Sequence, residues 1–96
     1  MNTKTQIDFE NRTISYTGTV QYKKILQNEE KQRLRLTILT TDWTTEKFII
    51  DESDTIPADI LETITEGDRI NLLLKFGLDD QRNFIRDIMS LTILEN

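Results

Sequence analysis

The chain has 96 residues, a formal net charge of −5, no cysteine and no histidine. Apolar residues make up 36% and charged residues 30% of it, which is typical of a single soluble domain with a modest core. The missing residue types exclude disulfides, thiolate nucleophiles, the usual zinc sites and imidazole acid–base catalysis. We therefore expect a non-catalytic protein without a cofactor, although carboxylates alone could still hold Mg²⁺ or Ca²⁺.

The N-terminal region is predicted to be an arm rather than part of the main domain. Ile7 and Phe9 alternate with acidic residues, which indicates a short edge strand or a loosely attached tail over residues 1–12, followed by one domain over residues 13–96. The first residues are polar, and no apolar run approaches the ~20 residues that a membrane-spanning helix needs. We therefore expect a cytoplasmic protein with no membrane partner.

The first main strand is predicted from about Thr13 to Leu26, because polar and apolar residues alternate along it. Gly18 interrupts this strand, and since glycine weakens a flat strand we interpret it as a bulge or a sharp bend. The alternation breaks again at Ile25, before a charged loop. The residues that share one parity, and are expected in the core, are Ile14, Tyr16, Val20 and Tyr22.

Two more strands are predicted from Arg33 to Thr41 and from about Thr44 to Asp51, joined by a tight turn at Trp43. The side chains expected to point inward are Leu34, Leu36, Ile38, Phe48 and Ile50. Those expected to point outward are Arg33, Arg35, Thr37, Lys47 and Ile49. The outer face of this strand pair should therefore carry several basic groups.

A short helix is predicted after an acidic link. Pro57 fits its first turn, Thr55 or Asp54 is the expected N-cap, and Gly67 is the expected C-cap. The apolar stripe that should cover the core consists of Ile56, Ile60, Leu61 and Ile64. Such a helix is suited to closing one end of a barrel.

The last two strands are predicted from Arg69 to Gly77 and from Phe84 to Leu94, with a polar hairpin turn between them. Both faces of the final strand are partly apolar, with Met89 on one and Ile88 on the other. This pattern predicts a strand that is buried at its end or paired with another subunit. We therefore expect a homo-oligomer.

The element order, Gly18 and the segment EGDRINLLL that leads from the helix into the fourth strand resemble the OB-fold group over about residues 13–94. More loosely, the chain resembles small single-stranded-DNA-binding proteins of phages and plasmids. The resemblance implies a five-stranded, mostly antiparallel Greek-key barrel with one helix, and a different small β-barrel with an added helix is the alternative. It also implies that a single strand lies across the second and third strands, between the loops joining strands one to two and four to five.

Mapped onto this sequence, that surface is basic and has one tryptophan at its edge. The predicted nucleic-acid-binding residues are Arg33, Arg35, Trp43, Lys47, Lys23, Lys24 and Lys31. The cations would neutralise phosphates, and the indole would stack on a base, which contributes roughly 1–3 kcal/mol. The charge distribution favours this placement, since residues 12–47 carry seven basic and four acidic groups.

Each of these residues also has a purely structural interpretation. A lone tryptophan such as Trp43 is commonly packed in the core or at the end of a small barrel. Arg33 and Arg35 could instead pair with glutamates across the hairpin. The glutamates in question are Glu29, Glu30 and Glu46. The other aromatic residues expected in the core are Tyr16, Tyr22 and Phe76, which leaves few rings for stacking.

The second half of the chain suggests a different function. Residues 48–96 carry eleven acidic and four basic groups, and many acidic residues surround the predicted helix. These are Asp51, Glu52, Asp54, Asp59, Glu62, Glu66 and Asp68. They could capture a basic protein, as an interaction or inhibitor module of a phage or mobile element would, without any nucleic-acid contact. The simpler interpretation is a solvated helix face.

Overall fold

A computed structural model describes residues 5–27 and 30–95 of the chain. Apart from one short helix it is built of β-strands, which confirms the predicted all-β class. The elements are β1 (Gln6–Asp8), β2 (Thr13–Gln27), β3 (Gln32–Thr40), β4 (Thr45–Asp51), α1 (Ala58–Thr63), β5 (Arg69–Leu78) and β6 (Phe84–Glu95). The expected arm over residues 1–12 thus contains β1, and its first four residues lie outside the described part.

All paired strands are antiparallel, and they form one sheet in the order β4-β3-β2-β5-β6. The long strand β2 is shared between neighbours: its first half pairs with β5 and its second half with β3. The short strand β1 pairs with residues 13–15 of β2, on the edge that β3 occupies further along. A sheet in which one strand serves both neighbours in this way must coil strongly.

Gly18 lies where β2 passes from one neighbour to the other, and it pairs with Thr40 of β3 and Ile70 of β5. A Cβ atom at this position would stand 2.5 Å from the backbone oxygen of Leu39. No side chain fits so close to a carbonyl, so glycine is needed for β3 to approach β2 here. The predicted bend is therefore a site of close strand contact.

A bulge in β2 reverses the direction of its side chains. Val20 pairs with Ile38, whereas Tyr22 pairs with Thr37, so Gln21 is the extra residue on this strand. Before the bulge the even-numbered side chains face the core, and after it they face solvent. The expectation that Tyr22 lies in the core was therefore wrong, since its side chain is 45% exposed.

The core lies on the concave side of the sheet and under α1. It combines the predicted inward residues of the strands with the helix stripe, including Ile56, Leu61 and Ile64. The helix is shorter than predicted. Pro57 is its N-cap and Ile64 its C-cap, while Gly67, with a φ of +96°, lies in the turn that follows. The expected caps Thr55, Asp54 and Gly67 were therefore wrong.

The two outer strands of the sheet, β4 and β6, approach each other without a backbone ladder between them among the described residues. The Arg86 guanidinium of β6 lies over the Phe48 ring of β4, with its Cζ 5.4 Å from the ring centroid. Tyr16 packs edge-on against the same ring. The sheet has six strands and is not closed, in contrast to the predicted five-stranded closed barrel.

The helix α1, with six residues, is far too short to cross a bilayer, and no other described segment forms a helix long and apolar enough to do so.

Candidate nucleic-acid interface

The convex surface of β2, β3 and β4 brings together two rows of side chains that point away from the core. The strand register places Tyr22 beside Thr37 and Lys47 in the first row, and Lys24 beside Arg35 and Ile49 in the second. We call this surface the basic face and define it by these six residues: Tyr22, Lys24, Arg35, Thr37, Lys47 and Ile49. It combines three cations, one aromatic ring, one hydroxyl and one aliphatic side chain.

A shallow groove of about 500 Å³ crosses the basic face. Its walls include Tyr22, Arg35, Lys47 and Ile49, and among the described residues no carboxylate lines it. Ile49 is 63% exposed and adds aliphatic surface to the groove. Apolar and aromatic surface flanked by cations is suited to a ligand with flat rings and negative charges.

The cations of the basic face are available to a ligand. Within residues 5–27 and 30–95, no carboxylate lies within ion-pair distance of Lys24, Arg35 or Lys47. Among the described residues, Arg35 therefore pairs with neither Glu30 nor Glu46, two of the three glutamates suggested as its partners. The third, Glu29, is not among the described residues. Three unpaired cations on neighbouring strands attract a polyanion.

Arg33, the next basic residue along β3, is held in an ion pair. Its Nε donates to Asp51 Oδ1 at 2.6 Å and its Nη2 to Oδ2 at 3.3 Å. The hydrogen bond and the opposite charge raise the pKa of Arg33 and lower the pKa of Asp51. Because its charge is already balanced by Asp51, Arg33 lies at the border of the basic face and is less available to a ligand than the unpaired cations.

Trp43 lies in the turn between β3 and β4 and is 82% exposed, so the core interpretation of this tryptophan was wrong. Thr40 ties the turn together, since its backbone oxygen accepts from the Trp43 N–H and its hydroxyl bonds to Thr44. Trp43 itself has a φ of +65°, a left-handed conformation that bulky residues rarely adopt. An exposed indole on a strained backbone is a feature of functional sites.

Lys23 does not belong to the basic face, in contrast to the prediction. The bulge at Gln21 turns its side chain toward α1, where its Nζ donates to the backbone oxygens of Glu62 and Ile64. These carbonyls belong to the C-terminal end of the helix, which carries partial negative charge. Lys23 therefore caps the helix, and we leave it out of the proposed ligand contacts.

Lys31 lies beyond the opposite end of the basic face from Trp43, in an acidic environment. It lines a separate depression together with Glu30, Glu52 and Asp54. Its charge also contributes to lowering the pKa of Asp51. These surroundings distinguish Lys31 from Lys24, although both were predicted as ligand contacts.

Tyr22 is a member of the basic face that the sequence pattern did not predict. Ile49 was correctly predicted to point outward, but no role was assigned to it. The signal for Tyr22 was present in Ile25, which packs against the core. Counting alternate residues back from Ile25 puts Lys23 inside and Tyr22 outside. The parity break thus lies at Gln21, four residues earlier than it was assigned.

Comparison with known proteins identifies no family for this chain. No protein-family profile matches the sequence, and no curated protein is significantly similar to it. The described residues also hold no cluster of three or more acidic side chains arranged for a metal ion. The function is therefore inferred from the geometry of the basic face.

Proposed function

We propose that this protein is a non-catalytic module that binds single-stranded nucleic acid, most readily single-stranded DNA, on its basic face. The observation that carries the proposal is the groove lined by Tyr22, Arg35, Lys47 and Ile49, in which one aromatic ring and one aliphatic side chain lie beside two cations, and no carboxylate of the described residues lines it. Lys24 extends the positive charge, and Trp43 offers a second ring at the hairpin tip. Cationic grooves with stacking side chains are how proteins hold single strands.

Single strands fit this surface better than duplexes do. Stacking on Tyr22 or Trp43 requires an unpaired base whose flat face is accessible, and in a duplex those faces are covered by neighbouring base pairs. The phosphates would lie against Lys24, Arg35 and Lys47. The contacts to rings and phosphates would not read base edges, so we expect weak sequence preference.

An OB-type barrel is part of the same proposal. The basic face extends over the first three strands of the main sheet, and two of these, the second and the third, are the strands on which OB folds hold their ligands. The helix lies between the third and fourth of these strands, and Arg86 over Phe48 brings the edges β4 and β6 together. These features support the OB interpretation of a sheet whose edges are not paired.

Binding is tested by fluorescence anisotropy of a labelled oligothymidine of about 16 nucleotides. We expect saturable binding that weakens steeply between about 50 and 200 mM salt. Tyr22→Ala should weaken it by at least about fivefold, since stacking contributes roughly 1–3 kcal/mol per base. The double variant Arg35→Ala with Lys47→Ala should reduce both affinity and salt dependence.

Lys75→Ala is the matched control. Lys75 is an exposed cation on the outward side of β5, pairs with Thr13 and Asp87, and lies outside the groove. Its loss changes the net charge as much as one groove substitution does. Equal effects of Lys75→Ala and the single variant Arg35→Ala, or no binding at low salt, would refute the basic face as the site.

A second candidate function is the capture of a basic protein by the acidic surface around α1. Asp54, Asp59, Glu62 and Glu66 are exposed there, and residues 51–68 contain no basic side chain. Charge reversal at Asp59 and Glu62 should abolish partner capture and leave oligonucleotide binding intact. Arg35→Ala should have the opposite pattern, so the two functions are distinguished by one pair of variants.

A further inference from the structure

The end of the molecule away from the helix presents three aromatic rings in contact, one pair edge-on and one pair stacked. Phe76 of β5 lies between Phe9, which follows β1, and Phe84, the first residue of β6, with both centroid distances 6.2 Å. We call these three residues the aromatic cluster. Phe9 is 77% and Phe84 61% exposed, so the cluster is mostly uncovered.

The apolar surface extends beyond the rings. Leu78 is 63% exposed and lines a groove of about 350 Å³ with Phe76, Phe84 and Arg12. Ile7 adds a further exposed side chain next to Phe9. With an aromatic residue covering roughly 150–250 Å², the exposed apolar patch measures on the order of 500 Å². A patch of this size is comparable to the largest apolar patches on monomeric proteins, about 300–600 Å², which are often functional.

This end differs from the helix end in its charge. The segments 8–12 and 75–87, which surround the aromatic cluster, carry nearly balanced charges, whereas residues 51–68 carry seven acidic groups and no basic one. The acidic groups near the cluster are Asp8, Glu10, Asp79, Asp80 and Asp87. The basic groups are Arg12, Lys75, Arg82 and Arg86. Five carboxylates disfavour a nucleic acid as the occupant.

We propose that the aromatic cluster is the centre of a symmetric interface with a second copy of this chain. In a two-fold contact each patch meets an identical one, so its charges meet the same balanced set and like-charge repulsion is small. A contact through the acidic helix end would bring together the exposed carboxylates of Asp54, Asp59, Glu62 and Glu66 from both copies, eight in all. The apolar area per chain suits the dry centre of an interface of standard size, about 800 Å² per partner.

This interface differs from the one that the apolar pattern of the last strand predicted. The edge strand β6 has two register shifts against β5, one between Leu73 and Leu74 and one between Arg69 and Ile70, at the positions of Met89 and Leu94. Bulged edges pair poorly with a further strand. The proposed contact instead uses the hairpin end of β6, and it leaves the basic face of both copies free.

The experiment is sedimentation velocity from low to high micromolar protein without nucleic acid. We expect the wild-type protein to form a dimer, and Phe84→Glu to give a folded monomer at the same concentrations. Phe9→Ser, in the turn before β2, should shift the equilibrium in the same direction. Leu94→Glu is the control, since Leu94 is also an exposed apolar residue of β6 but lies near its other end.

Each other outcome would overturn the proposal. A wild-type protein that stays monomeric throughout would mean that the aromatic cluster serves a different partner. A dimer that Leu94→Glu dissociates, while Phe84→Glu and Phe9→Ser do not, would place the interface along the β6 edge. Circular dichroism of each variant verifies the fold, and because oligonucleotide is absent, the result is independent of the proposed binding function.

Discussion

Replacing Lys23 or Lys24 by methionine removes the same charge from adjacent positions, but the two variants should differ in which property they lose, stability or oligonucleotide binding. The Lys23 amine caps the last carbonyls of α1, whereas Lys24 stands on the basic face beside Arg35. Lys23→Met should therefore lower stability and spare oligonucleotide binding. Lys24→Met should spare stability and weaken binding.

The size of each effect follows from the contacts. A hydrogen bond from a charged donor contributes about 1.5–3 kcal/mol, but the Lys23 side chain is partly exposed, and a cation at a helix C-terminus typically contributes 0.3–1 kcal/mol. We therefore expect a loss of about 1 kcal/mol, which lowers the Tm of a domain this size by about 4–8 °C.

For binding, each neutralised phosphate of a single strand contributes about −0.7 to the slope of log affinity against log salt. Three cations of the basic face give a slope near −2.1, so raising salt from about 50 to 200 mM weakens wild-type binding ~18-fold. Without Lys24 the slope falls to about −1.4 and the loss to ~7-fold.

Thermal unfolding followed by circular dichroism and anisotropy at several salt concentrations measure the two effects on the same preparations. The reasoning fails if Lys23→Met reduces the salt slope as much as Lys24→Met does. It also fails if Lys24→Met lowers the Tm as much as Lys23→Met, because the bulge would then not separate the two side chains.

Gly18→Ala should reduce the free energy of unfolding by about 1–3 kcal/mol in urea, because its Cβ would stand 2.5 Å from the Leu39 oxygen; an unchanged midpoint would contradict this close approach. Trp43→Gly should leave stability equal or slightly higher, since glycine adopts a positive φ without strain, yet weaken oligonucleotide binding. Lower stability with unchanged affinity would assign Trp43 a packing role instead. Arg33→Ala should raise the pKa of Asp51 toward its usual value in an NMR titration. Because the folded-state pKa is lowered, the pair stabilises the protein at neutral pH, and this stabilisation disappears as the pH falls through that pKa.

The strands could be predicted from the alternation of polar and apolar residues, and the helix from apolar residues spaced three or four apart, because most of these elements have one buried face. In β3, for example, Leu34, Leu36 and Ile38 are fully buried and Arg33 and Arg35 are exposed, as their parity indicated. Such a pattern reports the burial of each side chain directly, so it survives small errors in the ends of an element.

The direction in which the side chains of the second half of β2 point could not be predicted in the same way. A bulge adds one residue without any required residue type, and the apolar Ile25 downstream does not say which residue after Val20 is the extra one. Gly18, which was predicted to be a bulge or a bend, is needed instead for the close approach of β3 to β2. Because of this one extra residue, Tyr22 points to the surface instead of into the core, and Lys23 points to the end of the helix instead of to the predicted binding surface. Two members of the candidate site therefore differ from the prediction.

The turn at Trp43 illustrates a second limit. Whether a single large ring is buried or exposed depends on where the hairpin tip points, and alternation along the strands says nothing about residues between them. The structure exposes Trp43 because Thr40 closes the turn beneath it. Hydrogen bonds of this kind depend on the tertiary path of the chain.

The position of β2 between β3 and β5 also dictates an order of folding events. The hairpins β3–β4 and β5–β6 join neighbouring segments, whereas β2 meets β5 through pairs from Thr19 with Arg69 to Thr13 with Lys75, which are 50 and 62 positions apart. Closing so long a loop costs entropy that local hairpins avoid. The two halves of the chain should therefore acquire their hairpins early and remain separate until the first half of β2 finds β5. The Cβ of Gly18→Ala would meet the Leu39 oxygen of β3, so this variant should disturb the local pairing of β2 with β3 and not that last step.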